Sequence, residues 1–225
     1  RDVLGSRGLG DVYKRQLREN GFGGILADDM GLGKTLQVIS LLLSEQESAK
    51  AGEREWHRSL IVCPASLVYN WQKEISRFAP QIKTTLVTGL ATERQRIVRH
   101  TKEGEVLITS YDLLKRDVEL YRDMVFAIQV IDEAQYIKNA MSVGAGAVKQ
   151  LKAQTRLALT GTPMENHPGE LWSIFDFVLP GYLNSFAQFM HRFGTGEEAD
   201  VLRNRIRPFL LRRLKGHVLR ELPEK

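Results

Sequence analysis

The stretch Ala27-Asp28-Asp29-Met30-Gly31-Leu32-Gly33-Lys34-Thr35 constrains this chain more than any other, because of what flanks it. Before it runs Gly24-Ile25-Leu26-Ala27, short and apolar; after it, Thr35 to Ser44 is dense in Leu, Ile and Val and reads as a buried helix. A strand, a glycine-bearing loop and a helix in that order make a phosphate-binding loop. Small residues let backbone N–H groups approach phosphate oxygens, and the helix directs its positive end at them. The expected nucleotide-binding set is Asp28, Asp29, Met30, Gly31, Leu32, Gly33, Lys34 and Thr35. Lys34 would reach the β- and γ-phosphates of ATP as a point charge, and Thr35 would place its hydroxyl on Mg²⁺. The strict G-x-x-x-x-G-K-[ST] spacing fails at its first position, where Asp28 replaces glycine. The rival reading, a glycine-rich turn with an exposed lysine, leaves the flanking strand and helix unexplained.

From Leu17 onward, short β-rich runs alternate with amphipathic segments, the rhythm of an α/β fold whose parallel sheet is covered by helices on both faces. Six strands are implied, at 24–27, 60–63, 84–87, 106–109, 127–131 and 156–160. Ser66 is placed to cap a helix on which Leu67, Trp71, Ile75 and Phe78 share one face. Residues 45–58 are polar without an apolar period and read as a solvated loop or frayed helix end. After Pro180 the strand rhythm stops, and Phe186, Phe189, Met190 and Phe193 suggest helix outside the sheet. The expected organisation is a lobe over 17–180 and a helical extension over 181–225.

A second chemical signal ends the 127–131 run, where Asp132 and Glu133 follow Val130-Ile131. Ligands of an open α/β sheet bind outside the carboxyl ends of its strands, so two adjacent carboxylates there are a candidate metal and water-activating pair. Asp132 would hold Mg²⁺ and Glu133 would accept the proton of an attacking water. Gln135 cannot act as a base and is assigned to sensing the γ-phosphate by hydrogen bonding. The catalytic set is therefore Lys34, Asp132 and Glu133, with Thr35 and Asp132 as the metal residues.

Composition excludes other chemistries. Cys63 is the only cysteine, so no internal disulfide or multi-cysteine zinc site exists, and its place in Leu60-Ile61-Val62-Cys63 makes it a buried strand residue. No apolar run approaches the about 18 residues that span a bilayer. The formal charge of +5 is concentrated: residues 203–225 hold eight Lys/Arg against two Glu, so the remainder is near neutral. That tail reads either as a solvated charged face or as a phosphate-facing stripe.

Six blocks together resemble the SWI/SNF-type family of helicase superfamily two: GFGGILADDMGLGKT (21–35), LIVCPASLVYNWQKEI (60–75), ITSYDLL (108–114), VIDEAQYIKN (130–139), LALTGTPMENHPGELWSIFDFVLPGYL (157–183) and RPFLLRRLKGHVLRELPEK (207–225). The DEAQ box and the GFGG lead-in look more like bacterial members. The resemblance implies a RecA-like first lobe of a DNA-dependent ATPase, with ATP and Mg²⁺ as cofactors. It implies translocation on double-stranded DNA that remodels a protein bound there, inside the cell and away from membranes, at the nucleoid if the source is bacterial. It also implies that Pro64, Ala65, Ser66, Thr109, Ser110 and Tyr111 lie along one DNA strand, where capped helix ends and hydroxyls suit phosphates without base preference. Lys73 could add charge, and Trp71 reads as core rather than as a base-stacking platform. Thr160, Gly161 and Thr162 resemble the motif that couples nucleotide state to DNA grip. A strand-separating DNA or RNA helicase of the same superfamily, or a docking lobe without catalysis, are the alternative readings.

The sequence departs from the family at His167-Pro168, which alters the local loop, and at His217, which stands where an Asp is common and has no partner cluster for a metal. Ser6 to Gln16, SRGLGDVYKRQ, matches the translation of a transposon-based sequencing adapter, so residues 1–16 are set aside as a non-native scar. The segment bearing the family's adenine-reading glutamine is then expected to be lost, and Gln16 is not that residue. The last residues, Leu222-Pro223-Glu224-Lys225, fall about where the family passes into its second RecA-like lobe, which is expected as a partner in the parent chain.

Overall fold

The structure, a computed structural model, describes residues 23–28, 33–55, 57–161 and 168–212. The expected scar, the start of the lobe, Asp29 to Leu32, Thr162, His167 and His217 lie outside the described residues. All six expected strands are present, as β1 (Gly24–Leu26), β2 (Arg58–Cys63), β3 (Thr84–Leu86), β4 (Val106–Ser110), β5 (Val125–Ile131) and β6 (Lys152–Leu159). A seventh, β7 (Leu210–Leu211), joins them in one sheet of order β3-β4-β2-β5-β6-β1-β7, in which every pairing is parallel. The central strands are buried along nearly their whole length, as a parallel sheet covered on both faces requires.

Alternate residues of each strand feed two cores. Leu26, Ile61, Cys63, Ile108 and Val130 pack with Val38, Ile39 and Leu42 of α1 (Lys34–Lys50) and with Val68, Trp71 and Ile75 of α2 (Val68–Phe78). Ile25, Leu60, Val62, Leu107 and Phe126 face the other way. There they meet Val98 of α3 (Ala91–His100), Leu114 of α4 (Tyr111–Asp117), Val148 of α5 (Val143–Lys149) and the apolar run of α6 (Pro168–Val178). Pro168 at the first position of α6 suits its fixed φ and missing N–H.

Four expectations need correction. First, α1 continues to Lys50 through residues read as solvated loop or frayed helix end, and it is anchored there rather than frayed, because Glu45 is buried and the Gln46 amide donates to the Gly104 carbonyl at 2.6 Å. Gly52, at φ 75°, then turns the chain away. Second, Ser66 does not cap α2. It lies exposed in a 3₁₀ turn, Ala65–Leu67, and Leu67 occupies the cap position with no side-chain bond. Third, Phe78 is 43% exposed, with the Arg77 guanidinium 5.0 Å over its ring; Ala79 and Ile82 close that end of the core instead. Fourth, the segment after Pro180 is not helical throughout. Helices α7 (Phe186–Phe193) and α8 (Ala199–Ile206) follow, and Ser185 and Gln188 form a capping box for α7. The chain then re-enters the sheet as β7, pairing Ile25 with Leu210 and Leu26 with Leu211. Phe189, Phe193, Leu202, Ile206 and Phe209 share their core with α6, so this segment is packed into the lobe.

Candidate functional site

Parallel strands put all their carboxyl ends on one edge. The register sets Cys63 beside Ser110, Val62 beside Ile131, Ile131 beside Ala158, and Leu26 beside Leu159. The residues at and just past these strand ends therefore stand in a row: Ser110 ending β4, Pro64 after β2, Asp132 after β5, Thr160 after β6 and Ala27 after β1. The nucleotide candidates occupy the β5-β6-β1 half of the row and the nucleic-acid candidates the neighbouring β4-β2 half.

On the phosphate side, Asp28 is fully buried. Its main-chain oxygen accepts a hydrogen bond from Lys34 Nζ, and its Oδ2 accepts one from Gln37 Nε2 at 3.2 Å. Gln37 gave no signal in the sequence, since it lies beyond the motif. Gly33 occupies the N-cap of α1 at φ 78°, ψ 32°, a left-handed conformation that favours glycine. No side chain caps α1 and its first turn holds no acidic residue, so its leading N–H groups suit an anion.

At the end of β5, Asp132 makes four hydrogen bonds with described residues. Its N–H donates to the Val62 carbonyl at 2.8 Å. Its Oδ2 accepts from Trp71 Nε1 at 2.9 Å, its Oδ1 accepts from the Glu133 N–H at 2.9 Å, and its carbonyl accepts from the Tyr111 hydroxyl at 2.7 Å. Burial raises the Asp132 pKa above the usual carboxylate value; the Trp71 and Glu133 N–H bonds oppose this, the Glu133 carboxylate reinforces it, and Lys34 lowers it. Glu133 follows in the left-handed region at φ 52°, ψ 59°. Its Oε2 accepts from Gln135 Nε2 at 2.7 Å, and Gln135 Oε1 accepts from the Thr160 hydroxyl at 3.3 Å. Gln135 thus connects the acidic pair to the Thr160-Gly161 segment.

These residues fit a magnesium-nucleotide complex. Among the described residues each Asp132 oxygen accepts one N–H, and a carboxylate oxygen has lone-pair capacity for a second contact with a cation or its water. A buried carboxylate beside a second one, with its pKa raised, is a site that added positive charge relieves. Among the described residues no group of three or more His, Cys, Asp or Glu could hold a metal alone. A hydroxyl and one carboxylate, completed by phosphate and water, is nonetheless the usual arrangement for Mg²⁺.

The nucleic-acid candidates separate by accessibility. Ala65 and Ser66 are exposed on their 3₁₀ turn, Pro64 is half-buried, and Lys73 is exposed on α2. Thr109 is fully buried, with its hydroxyl donating to the Val87 carbonyl at 3.1 Å. Ser110 caps α4 by accepting from the Leu113 N–H at 3.3 Å, and Tyr111 is buried against Asp132. The side chains of Thr109, Ser110 and Tyr111 are therefore engaged inside the protein. Trp71 is core, 1% exposed, but core with a polar task that its spacing did not reveal.

The SNF2-related domain family matches residues 12–225, including five residues of the segment set aside as a scar. An ATP-dependent helicase of Mycoplasma pneumoniae is 46% identical over 219 residues, covering 96% of this chain and 21% of that protein. The TATA-binding protein-associated factor MOT1 of Saccharomyces cerevisiae is 38% identical over 227 residues, covering 90% of this chain and 12% of that protein. The Sulfolobus solfataricus SWI2/SNF2 ATPase core in complex with double-stranded DNA superposes with a TM-score of 0.84 at 38% identity, covering 97% of this chain and 46% of that one. The chain thus spans a small part of its curated relatives and just under half of that solved core.

Proposed function

The chain belongs to the SNF2-related domain family, and from that premise we propose that it is the ATP-binding lobe of a DNA-dependent ATPase that translocates on double-stranded DNA to remodel protein–DNA complexes. The observation that carries this reading is the row on the sheet edge, where Lys34 lies close enough to lower the Asp132 pKa and Asp132 begins the Glu133–Gln135–Thr160 chain of contacts. Lys34 exchanges the Asp28 carbonyl for the β- and γ-phosphates of ATP, which the leading N–H groups of α1 also bind. Thr35 and Asp132 hold Mg²⁺, which when bound neutralises phosphate charge and fixes the nucleotide. Glu133 takes the proton of the attacking water on its carboxylate. Gln135 and Thr160 carry the state of that carboxylate to Gly161 and Thr162 at the end of β6.

Duplex DNA runs over Pro64, Ala65 and Ser66, with Lys73 adding charge. The lobe comprises 17–180 with the α7, α8 and β7 segment packed into it, a second RecA-like lobe follows in the parent chain, and the protein works inside the cell. The solved Sulfolobus solfataricus core with double-stranded DNA supports the choice of duplex. MOT1's association with the TATA-binding protein supports a protein target on the DNA.

ATP turnover by the parent protein, measured with duplex DNA, single-stranded DNA and RNA, tests the reading. Stimulation by duplex is expected to exceed the others. Greater stimulation by single strands or RNA would replace it with a strand-separating helicase, a reading that the helicase relative favours. Failure to bind ATP would leave only a docking lobe.

A further inference from the structure

Asp132 stands where the two halves of the sheet edge meet, and among the described residues the two hydrogen bonds that reach it from outside its own strand and its β2 neighbour come from the nucleic-acid half. Trp71 lies on α2, one turn past the Pro64-Ala65-Ser66 segment, and its indole N–H binds Oδ2 at 2.9 Å. Tyr111 opens α4, immediately after Thr109 and Ser110, and its hydroxyl binds the Asp132 carbonyl at 2.7 Å. The Tyr111 ring also stacks on Tyr136, 58% exposed, with centroids 5.0 Å apart and planes 5° from parallel. Tyr136 is in the turn whose Glu133 sits at φ 52°, and its N–H donates to the Glu133 carbonyl at 3.0 Å.

We propose that Trp71 and Tyr111 are positioning residues for Asp132, and that through them the segments facing DNA set how well the magnesium carboxylate is aligned. This rests on the function proposed above. The chemistry is specific. An indole N–H only donates, so Trp71 orients the ionised carboxylate without competing for the cation. With Oδ2 held by Trp71 and Oδ1 by the Glu133 N–H, the carboxylate is restrained from rotating, and each oxygen keeps acceptor capacity that a hydrated Mg²⁺ would use. Tyr111 fixes the main chain at the same residue, and by stacking on Tyr136 it grips the turn that carries Glu133 on both sides. A shift of the Ala65–Leu67 turn against a DNA strand moves the start of α2 and hence Trp71; a shift of the β4–α4 junction moves Tyr111.

The test uses Trp71→Phe and Tyr111→Phe in the full-length parent protein. Binding of a fluorescent ATP analogue is titrated with Mg²⁺, with and without duplex DNA, and repeated in EDTA. Outer hydrogen-bond partners of metal ligands change metal affinity by about 10- to 100-fold. Because Mg²⁺ keeps much of its water, the half-saturating Mg²⁺ is expected to rise by less than that, roughly 3- to 10-fold. Nucleotide affinity in EDTA should be unchanged, which a general loss of structure would not allow. Duplex DNA should lower the half-saturating Mg²⁺ of the wild type and have little effect in either variant. A Mg²⁺ shift below about 2-fold in both variants, or an equal loss in EDTA, would overturn the positioning role. An equal response to DNA in all three proteins would overturn the link. A wild type that ignores duplex DNA in both turnover and binding would overturn the functional reading and the link together, while the DNA-free titration would still decide the positioning role.

Discussion

Glu133 is the residue on which the proposed chemistry turns, and its surroundings predict what a conservative change does. Gln135 Nε2 donates to Glu133 Oε2, so a glutamine at 133 presents the same acceptor to it and keeps the turn at φ 52°. Glu133→Gln in the parent protein should retain ATP binding and lose about 10²- to 10⁴-fold in turnover, the range for losing a general base. Near-normal turnover would assign the base elsewhere. Lys34→Ala should instead weaken nucleotide binding, measured by the same fluorescent analogue. Cys63 offers an independent check on packing. Burial pushes its thiol from the ordinary 9.0 up to about 12, with Asp132 adding to the effect. Below pH 9 the thiol is protonated in both states and contributes no pH dependence. As pH rises from 9 toward 12 the unfolded chain ionises first, so Cys63 favours unfolding across that window. A thiol reagent at pH 8 should leave the folded chain unlabelled and label it fully in urea; rapid labelling of the folded chain would contradict the packing of β2. The residues named for chemistry were legible because a phosphate loop and an acid pair are local patterns. The hydrogen bonds that orient them were not, since Trp71 and Asp132 are 61 positions apart and meet only when α2 folds back over the sheet.

At the scale of elements, Gly23 shows what a repeated glycine in the lead-in is for. A Cβ on Gly23 would lie 2.1 Å from the Val178 carbonyl oxygen and 2.7 Å from that of Arg156, both main-chain atoms that have little room to move. The entry to β1 therefore fits only without a side chain, between the end of α6 and β6. Gly23→Ala should destabilise the chain by about 3 kcal/mol or more, above the usual cost of overpacking, and shift its urea midpoint accordingly. An unchanged midpoint would mean that the end of α6 is free to retreat. The sequence displays the glycine and hides the reason, because both carbonyls come from more than 130 residues downstream. The same limit explains β7. Two apolar residues in a basic stretch have no strand period, and Leu210-Leu211 becomes a strand only because the edge of β1 is there to pair with. The long strands β2, β4 and β5 were readable, since burial on both faces demands an uninterrupted apolar run. The end of α1 was not, because its last turns are anchored by polar contacts such as Gln46 to Gly104 rather than by an apolar stripe.

For the whole molecule, the row along the sheet edge decides what the chain can do alone. It gathers an uncapped helix N-terminus, an oriented acid pair and a path from that pair to Thr160, which the proposed function places on one side of the nucleotide. The S. solfataricus core of which this chain matches 46% contains as much chain again, and the family resemblance implies that the second lobe supplies arginines to the opposite side of the transferring phosphoryl group. An arginine in that position contributes roughly 10³- to 10⁵-fold in rate, because it meets charge that develops only in the transition state. Ground-state binding depends less on it, since under the proposed function Lys34, the α1 terminus and Asp132 would hold the phosphates and their cation from this lobe alone. Residues 1–225 alone should therefore bind an ATP analogue in a Mg²⁺-dependent manner yet hydrolyse ATP slower than the DNA-stimulated parent by about that factor. Adding duplex DNA should leave this slow rate nearly unchanged, because closure of the second lobe over the site is the step that DNA would promote. Single-turnover hydrolysis with and without duplex measures both quantities, and fast, DNA-dependent turnover by the isolated chain would show that this one edge holds the complete catalytic apparatus.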